Sequence, residues 1–133
     1  MSSVARGTFT VTITQEPPYD SVDGVTIGRA SLQKEFQGDL TGSSHGLMTS
    51  AMAAVKGSAG YVAVERVTAS LAGRRGTFVL QHSGTMARGK PSLVVSVVPD
   101  SATAELTGLT GTMAIDVADG QHMYAFDYAL PAA

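Results

Sequence analysis

The chain has 133 residues, of which 44% are hydrophobic and 15% are charged, and its formal net charge is -2. This balance excludes a disordered chain, and the charge gives no electrostatic reason to expect nucleic acid or an anionic membrane as a partner. Because the sequence contains no Cys, disulfides, thiolate nucleophiles and thiolate metal sites are excluded.

Alternating polarity predicts a β-strand near the start of the chain. From Gly7 onwards, Phe9 and its alternate neighbours are apolar and the residues between them are Thr, which is typical of a half-buried strand. Pro17 and Pro18 end this strand, because proline cannot donate a hydrogen bond to a sheet.

Further segments with the same period of two follow along the chain. Short separators rich in Gly, Asp, Ser and Pro lie between them, as expected for hairpin turns. Within segment 46–55, Ala and Met cluster, so a helix there is the one alternative to a strand. The predicted strands are residues 25–37, 40–55, 60–71, 77–86, 92–98, 104–117 and 121–130.

Eight consecutive strands linked by hairpins can form a sandwich or an up-and-down barrel. Closure is favoured because it removes the unpaired strand edges that an open sheet leaves exposed. The predicted fold class is therefore all-β, an eight-stranded antiparallel closed barrel.

The length is typical of one domain, which we expect to span residues 1–133. The first residues lack the apolar run of a signal peptide. No segment approaches the roughly 18 uninterrupted apolar residues of a membrane-spanning helix. The expected location is therefore the cytoplasm.

Several short segments, spread in order over nearly the whole length, carry a family resemblance. They read GTFTV (7–11), FQGDLTG (36–42), GYVAVERVT (60–68), GRRGTFVLQH (73–82), VVP (97–99), ELTGLTG (105–111) and FDY (126–128). Together they resemble the DUF3224 family of small bacterial proteins of unknown function, whose known members resemble the allene oxide cyclase barrel. The resemblance implies that barrel architecture and supplies neither a reaction nor a catalytic residue.

Two departures from the family pattern predict a pocket. Family members usually carry Trp where this chain has Thr14, and often where it has Val95. If both positions face the interior, the missing side chains leave space that either Met and Phe side chains or a ligand fill. We expect this space to stay open and to house the substrate.

Glu65 and His82 are the candidate catalytic residues. Glu65 lies mid-strand among apolar alternation partners, and His82 shares the parity of Phe78 and Leu80 on the next strand, so both are expected to face the interior. A buried carboxylate has a raised pKa unless an opposing charge or donor compensates it, and His suits proton transfer. The structural alternatives are a salt bridge that fixes the barrel register and a histidine bonded to backbone near the barrel rim.

Other chemical motifs are weak. His45 and His122 are isolated, so no metal site is expected, and no glycine-rich loop suggests a nucleotide cofactor. Residues 42–46, GSSHG, match the G-x-S-x-G nucleophile pattern, but that motif needs a strand-to-helix turn in a large α/β sheet. The facing of Arg29, Lys34 and Glu105 is left open.

Basic residues are concentrated between Glu65 and Asp100, where no acidic residue occurs. Most such clusters are solvated surfaces, but one barrel rim lined in this way would attract a carboxylate or phosphate. The basic residues of this segment are Arg66, Arg74, Arg75, Arg88 and Lys90.

These features predict a cofactor-independent barrel that binds one apolar or amphipathic small molecule in its lumen. Whether it also isomerises or cyclises that molecule stays open, and the alternatives are a ligand carrier or sensor and a structural oligomerising domain. The outer-face mixture of Val and Thr predicts a homo-oligomer. The expected substrate-binding residues are Thr14, Val95, Tyr61, Glu105 and Phe126.

Overall fold

The computed structural model describes residues 2–132, and most of them lie in β-strands. One single-turn 3-10 helix, Ala104–Leu106, precedes the eighth strand. No helix within residues 2–132 is long and apolar enough to cross a membrane. The strands are β1 (Ser3–Gln15), β2 (Asp20–Val22), β3 (Val25–Gly38), β4 (Leu40–Met52), β5 (Ala59–Leu71), β6 (Arg74–Ala87), β7 (Lys90–Val97), β8 (Thr110–Ala118) and β9 (Gln121–Ala129).

The sheet closes on itself because β1 pairs with both β9 and β3. Every pairing is antiparallel, and the ring runs β1-β9-β8-β7-β6-β5-β4-β3. Among residues 2–132, the short strand β2 pairs only with β3 and lies outside this ring. The predicted all-β, eight-stranded antiparallel closed barrel is confirmed.

Three local predictions differ from the structure. The predicted strand 104–117 begins instead with the 3-10 turn, because Ala104 and Gly108 have φ values of 53° and 89° that no strand accommodates. The strand β2 was not predicted, since all three of its residues are exposed and carry no alternating pattern. Segment 46–55 is a strand as far as Met52, where the β3 and β5 ladders end.

Aromatic and aliphatic side chains fill the half of the barrel that contains the β3–β4 and β5–β6 turns, here called the closed end. Phe78 stacks on Phe126 with ring centroids 5.8 Å apart, and both rings are fully buried. The loop between β7 and β8 folds over this end and buries Leu106 and Leu109 against the core. Arg74 fastens that loop by donating to the carbonyl of Glu105, 2.9 Å away.

The other half of the barrel, here called the open end, contains the β4–β5, β6–β7 and β8–β9 turns. Inward-facing side chains there, such as Met48 and Tyr61, remain partly exposed. The two ends therefore differ in packing, although the same eight strands build both.

An apolar patch lies on the outer face of β4 to β7. Leu47 pairs directly with Val64, and Val62 pairs with Ser83, which in turn pairs with Val94. The four aliphatic side chains are each more than half exposed, Leu47 at 58%, Val62 at 56%, Val64 at 54% and Val94 at 60%. Grouped exposed apolar side chains of this kind are the basis on which the homo-oligomer stays a prediction.

We expect sedimentation at micromolar concentration to show a homo-oligomer that uses this patch. Val64→Lys should yield monomers, because it places a charge in an apolar contact. Val4→Lys is the matched control, since Val4 is 44% exposed on β1, away from the patch. A wild-type monomer, or equal effects of the two substitutions, would refute this expectation.

Candidate functional site

A closed polar cluster lies inside the barrel and is here called the Glu65 cluster. It consists of Lys34, Ser44, Glu65 and His82, which come from the four neighbouring strands β3, β4, β5 and β6. Lys34 Nζ donates to Glu65 Oε2 over 2.9 Å, and Ser44 Oγ donates to Oε1 over 2.8 Å. Nε2 of His82 lies 2.5 Å from Oε2. All four residues are buried.

The ladder register explains why these side chains meet. Lys34 pairs directly with Ser44, and Gly46, the next inward-facing residue of β4, pairs with Glu65. A Cβ atom on Gly46 would lie 2.7 Å from the Cα of Glu65, so glycine is needed there for the two strands to approach closely. Ser44 and Glu65 are therefore diagonal neighbours on the inner face.

Electrostatics keep the Glu65 carboxyl group ionised. Burial by itself raises the pKa of Glu65, but the hydrogen bond from His82 and the charge and hydrogen bond of Lys34 outweigh burial and lower this pKa to about 2. Because an ionised carboxylate only accepts hydrogen bonds, His82 carries its hydrogen on Nε2. Lys34 Nζ also lies 4.8 Å from the centroid of the Phe9 ring, a cation–π contact.

Glu65 and His82 both face the interior, as their sequence positions indicate. The compensating charge is that of Lys34, which with Ser44 was not among the predicted site residues. Lys34 alternates with the buried residues Leu32 and Phe36, and this pattern is the signal that identifies its facing.

A cavity of about 430 Å³ occupies the open end of the barrel. Its lining comes from β1, β4, β5, β6 and β7 and is rich in methionine and hydroxyl-bearing residues. The lining comprises Gln15, Met48, Ser50, Met52, Ala59, Gly60, Tyr61, Gly84, Thr85, Met86, Pro91, Ser92 and Leu93.

Tyr61 connects this cavity to the Glu65 cluster. Its ring lines the cavity, and the ring centroid lies 6.4 Å from that of His82. Burial, and secondarily the negative charge of Glu65, raise the pKa of Tyr61, so the phenol stays protonated at neutral pH. The Tyr61 hydroxyl group can therefore donate a hydrogen bond to a ligand.

The other predicted substrate-binding residues lie outside the cavity. Thr14 is exposed and shares the outward parity of Thr10 and Thr12, so the space expected from a missing Trp there does not exist inside the barrel. Val95 and Phe126 are fully packed in the core.

Glu105 lies at the opposite, closed end, in the 3-10 turn, where its carboxylate accepts the backbone N–H of Arg75. The cavity is therefore formed by methionine, small and hydroxyl-bearing side chains at the open end, not by the two departures from the family pattern.

No group of three His, Asp or Glu side chains that could hold a metal ion occurs within residues 2–132.

The buried Lys34–Glu65 ion pair predicts a clear result for a double-mutant cycle. Lys34→Met or Glu65→Gln alone leaves the other charge buried without its partner and should lower the free energy of unfolding by about 3–5 kcal/mol. The Lys34→Met/Glu65→Gln variant has neither charge and should recover most of this loss. Urea unfolding measures all four proteins, and additive losses in the double variant would contradict the pairing.

The lowered pKa of Glu65 makes stability depend on pH. Unfolded Glu65 takes up a proton near its ordinary value of 4.5, whereas the folded carboxylate keeps its charge down to about pH 2. In this window the unfolded state binds more protons, so stability falls as pH falls, by about 3 kcal/mol in total. Urea unfolding at several pH values should show this additional loss in wild type but not in Lys34→Met/Glu65→Gln, and equal pH slopes would contradict it.

Comparisons with known proteins agree with this fold. The family model described as a protein of unknown function (DUF3224) matches residues 5–128. A crystal structure of a DUF3224 family protein of unknown function from Shewanella oneidensis MR-1 is 50% identical, with a TM-score of 0.95 and complete coverage of both chains. No curated protein matches. The further likeness to the allene oxide cyclase barrel stays a prediction, and the chain belongs to the DUF3224 family.

Proposed function

We propose that this barrel binds one apolar small molecule in the cavity at its open end. The observation that carries the proposal is the difference between the two ends. Phe78, Phe126 and Leu106 fill the closed end, whereas a cavity of about 430 Å³ interrupts the packing at the open end. Ligand pockets commonly measure about 300–1,000 Å³ and are lined mainly by apolar side chains.

The methionines support the same proposal. Met52 and Met86 are 60% and 40% exposed, and both pair with Ala59, so they flank one residue at the mouth of the cavity. With Met48 they form an apolar and deformable lining, and thioether groups make favourable contacts with aromatic rings. Exposed apolar side chains around a concave surface are typical of a binding site.

The Glu65 cluster favours a binding role over direct catalysis by Glu65. The carboxylate is fully buried and accepts hydrogen bonds from Lys34, Ser44 and His82, so a ligand in the cavity has no direct access to it. At neutral pH it is ionised and has no proton to donate. Glu65 therefore positions His82 and belongs to a rigid layer of side chains below the cavity.

A second candidate function, proton transfer on the bound molecule, is favoured by the Glu65–His82 bond. A carboxylate that fixes one ring nitrogen of a histidine orients the ring for general acid–base catalysis. In this scheme His82 removes a proton from one carbon of the ligand and returns it to another, which is an isomerisation. Tyr61 contributes a hydrogen bond to the ligand oxygen that gains charge.

Binding is tested with N-phenyl-1-naphthylamine, an uncharged fluorescent probe, and a variant that fills the cavity. Ser50 faces inward and lines the cavity, so Ser50→Trp should abolish the binding of the probe while leaving stability equal or higher. Thr14→Trp is the matched control, because it adds the same side chain to the outer face of β1 and should leave binding unchanged. Fluorescence titration measures both.

The absence of saturable binding to wild type would overturn the proposal. Equal affinities of wild type and Ser50→Trp would also overturn it, since the probe would then bind elsewhere.

Proton transfer is tested by hydrogen–deuterium exchange at the CH2 group between the ring and the carbonyl of naphthylacetone, an uncharged ketone, followed by NMR. Wild type should accelerate exchange above the buffer rate, and His82→Gln should lower this acceleration by about 10²–10⁴-fold while the ketone still binds. Exchange at the buffer rate in wild type that has bound the ketone would exclude the second candidate and leave the binding function intact.

A further inference from the structure

Two turns at the open end of the barrel are joined by hydrogen bonds. The backbone N–H of Gly89, in the β6–β7 turn, donates to the carbonyl of Gly57 in the β4–β5 loop over 2.9 Å. The backbone N–H of Arg88 donates to Ser58 Oγ over 3.0 Å. These bonds hold the two turns side by side as one structural unit.

This unit carries a group of exposed positive charges, here called the cationic rim and consisting of Lys56, Arg88 and Lys90. Within residues 2–132, none of the three lies within 4.0 Å of a carboxylate. The β2–β3 turn lies near the β4–β5 loop, since Gly24 packs toward Ala54. This turn contributes one carboxylate, that of Asp23. The β8–β9 turn at the same end carries a second carboxylate, Asp119. The two joined turns themselves, residues 53–58 and 87–90, hold three positive charges and no acidic residue, so this part of the rim is positive.

The residues of the cationic rim are close in sequence to residues that line the cavity. Arg88 follows the lining residue Met86 by two positions, Lys90 precedes the lining residue Pro91, and Lys56 precedes the lining residue Ala59 by three. The cavity lining itself contains no charged side chain. Positive charge is thus found at the mouth of the cavity but not within it.

We infer that the ligand of the open-end cavity is an amphipathic anion, an inference that rests on the proposed binding function. Its apolar body lies among the methionines, and its carboxylate, sulfonate or phosphate head group contacts the cationic rim. An ionised group that entered the cavity would lose its hydration without meeting an opposing charge, so the head group stays at the mouth. Lys and Arg side chains there supply charge-assisted hydrogen bonds to such a group.

The test compares two probes that share one aromatic skeleton. 8-Anilinonaphthalene-1-sulfonate carries an anionic group, and N-phenyl-1-naphthylamine is the same molecule without it. The variant Lys56→Gln/Arg88→Gln/Lys90→Gln removes the cationic rim and should weaken binding of the sulfonate by about fivefold to tenfold while leaving the uncharged probe unaffected. Added salt should reduce the sulfonate affinity of wild type towards that of the variant.

Arg6→Gln/Arg66→Gln/Arg75→Gln is the control, because it removes three exposed positive charges that lie within strands β1, β5 and β6 and not in the rim turns. It should leave the affinity for both probes unchanged. Equal sulfonate affinity in wild type and the rim variant, or equal losses in the rim variant and the control, would overturn the inference. If both probes bind Ser50→Trp as tightly as wild type, the proposed binding function itself fails. This result differs from a failure of the anion inference alone, in which Ser50→Trp blocks both probes but the rim variant has no effect.

Discussion

The ionised carboxylate of Glu65, held in the barrel interior, is the interaction on which the rest of the structure depends. A charge in such surroundings is tolerated only when a counter-charge and hydrogen-bond donors surround it. Lys34, Ser44 and His82 meet this need from three other strands. A shift of one residue in any of these pairings would turn a member of the cluster to the outer face, so the cluster specifies the register of four neighbouring strands.

The same cluster divides the barrel into two parts with different roles. On one side, the aromatic rings and the loop that carries Leu106 form a packed core. On the other side, Tyr61 and the methionines line an open cavity. Within residues 2–132 no buried side-chain nitrogen or oxygen lacks a hydrogen-bond partner, so the cluster forms a well-ordered boundary between the two parts. In the proposed binding mode, a ligand at the open end contacts Tyr61 and leaves the core unchanged. The packed core and the proposed binding site therefore lie at opposite ends of one barrel.

The sequence predicts the features of this arrangement that depend on one strand at a time. A period of two predicts the eight barrel strands and the inward facing of Glu65 and His82, because facing depends only on alternation within one strand. The partnership with Lys34 depends on the β3–β4 and β4–β5 registers, which join residues 31 positions apart and leave no trace in the local pattern. The cavity was predicted at Thr14 and Val95 on the assumption that both residues face the interior. Thr14 has the outward parity of its strand, and Val95 does face inward but is fully packed in the core. The position of the cavity at the open end depends on where the strands end and on which turns approach each other. The alternation of polar and apolar residues does not encode either property.

The most direct test of the central claim is an NMR titration of the methionine methyl groups with N-phenyl-1-naphthylamine. Met48, Met52 and Met86 line the cavity, whereas Met113 is buried in the core with 4% exposure. We expect the methyl signals of the three cavity methionines to shift until the site is saturated and the Met113 signal to stay in place. Saturable shifts confined to Met113, or no shift at Met48, Met52 and Met86, would contradict a binding site at the open end of the barrel.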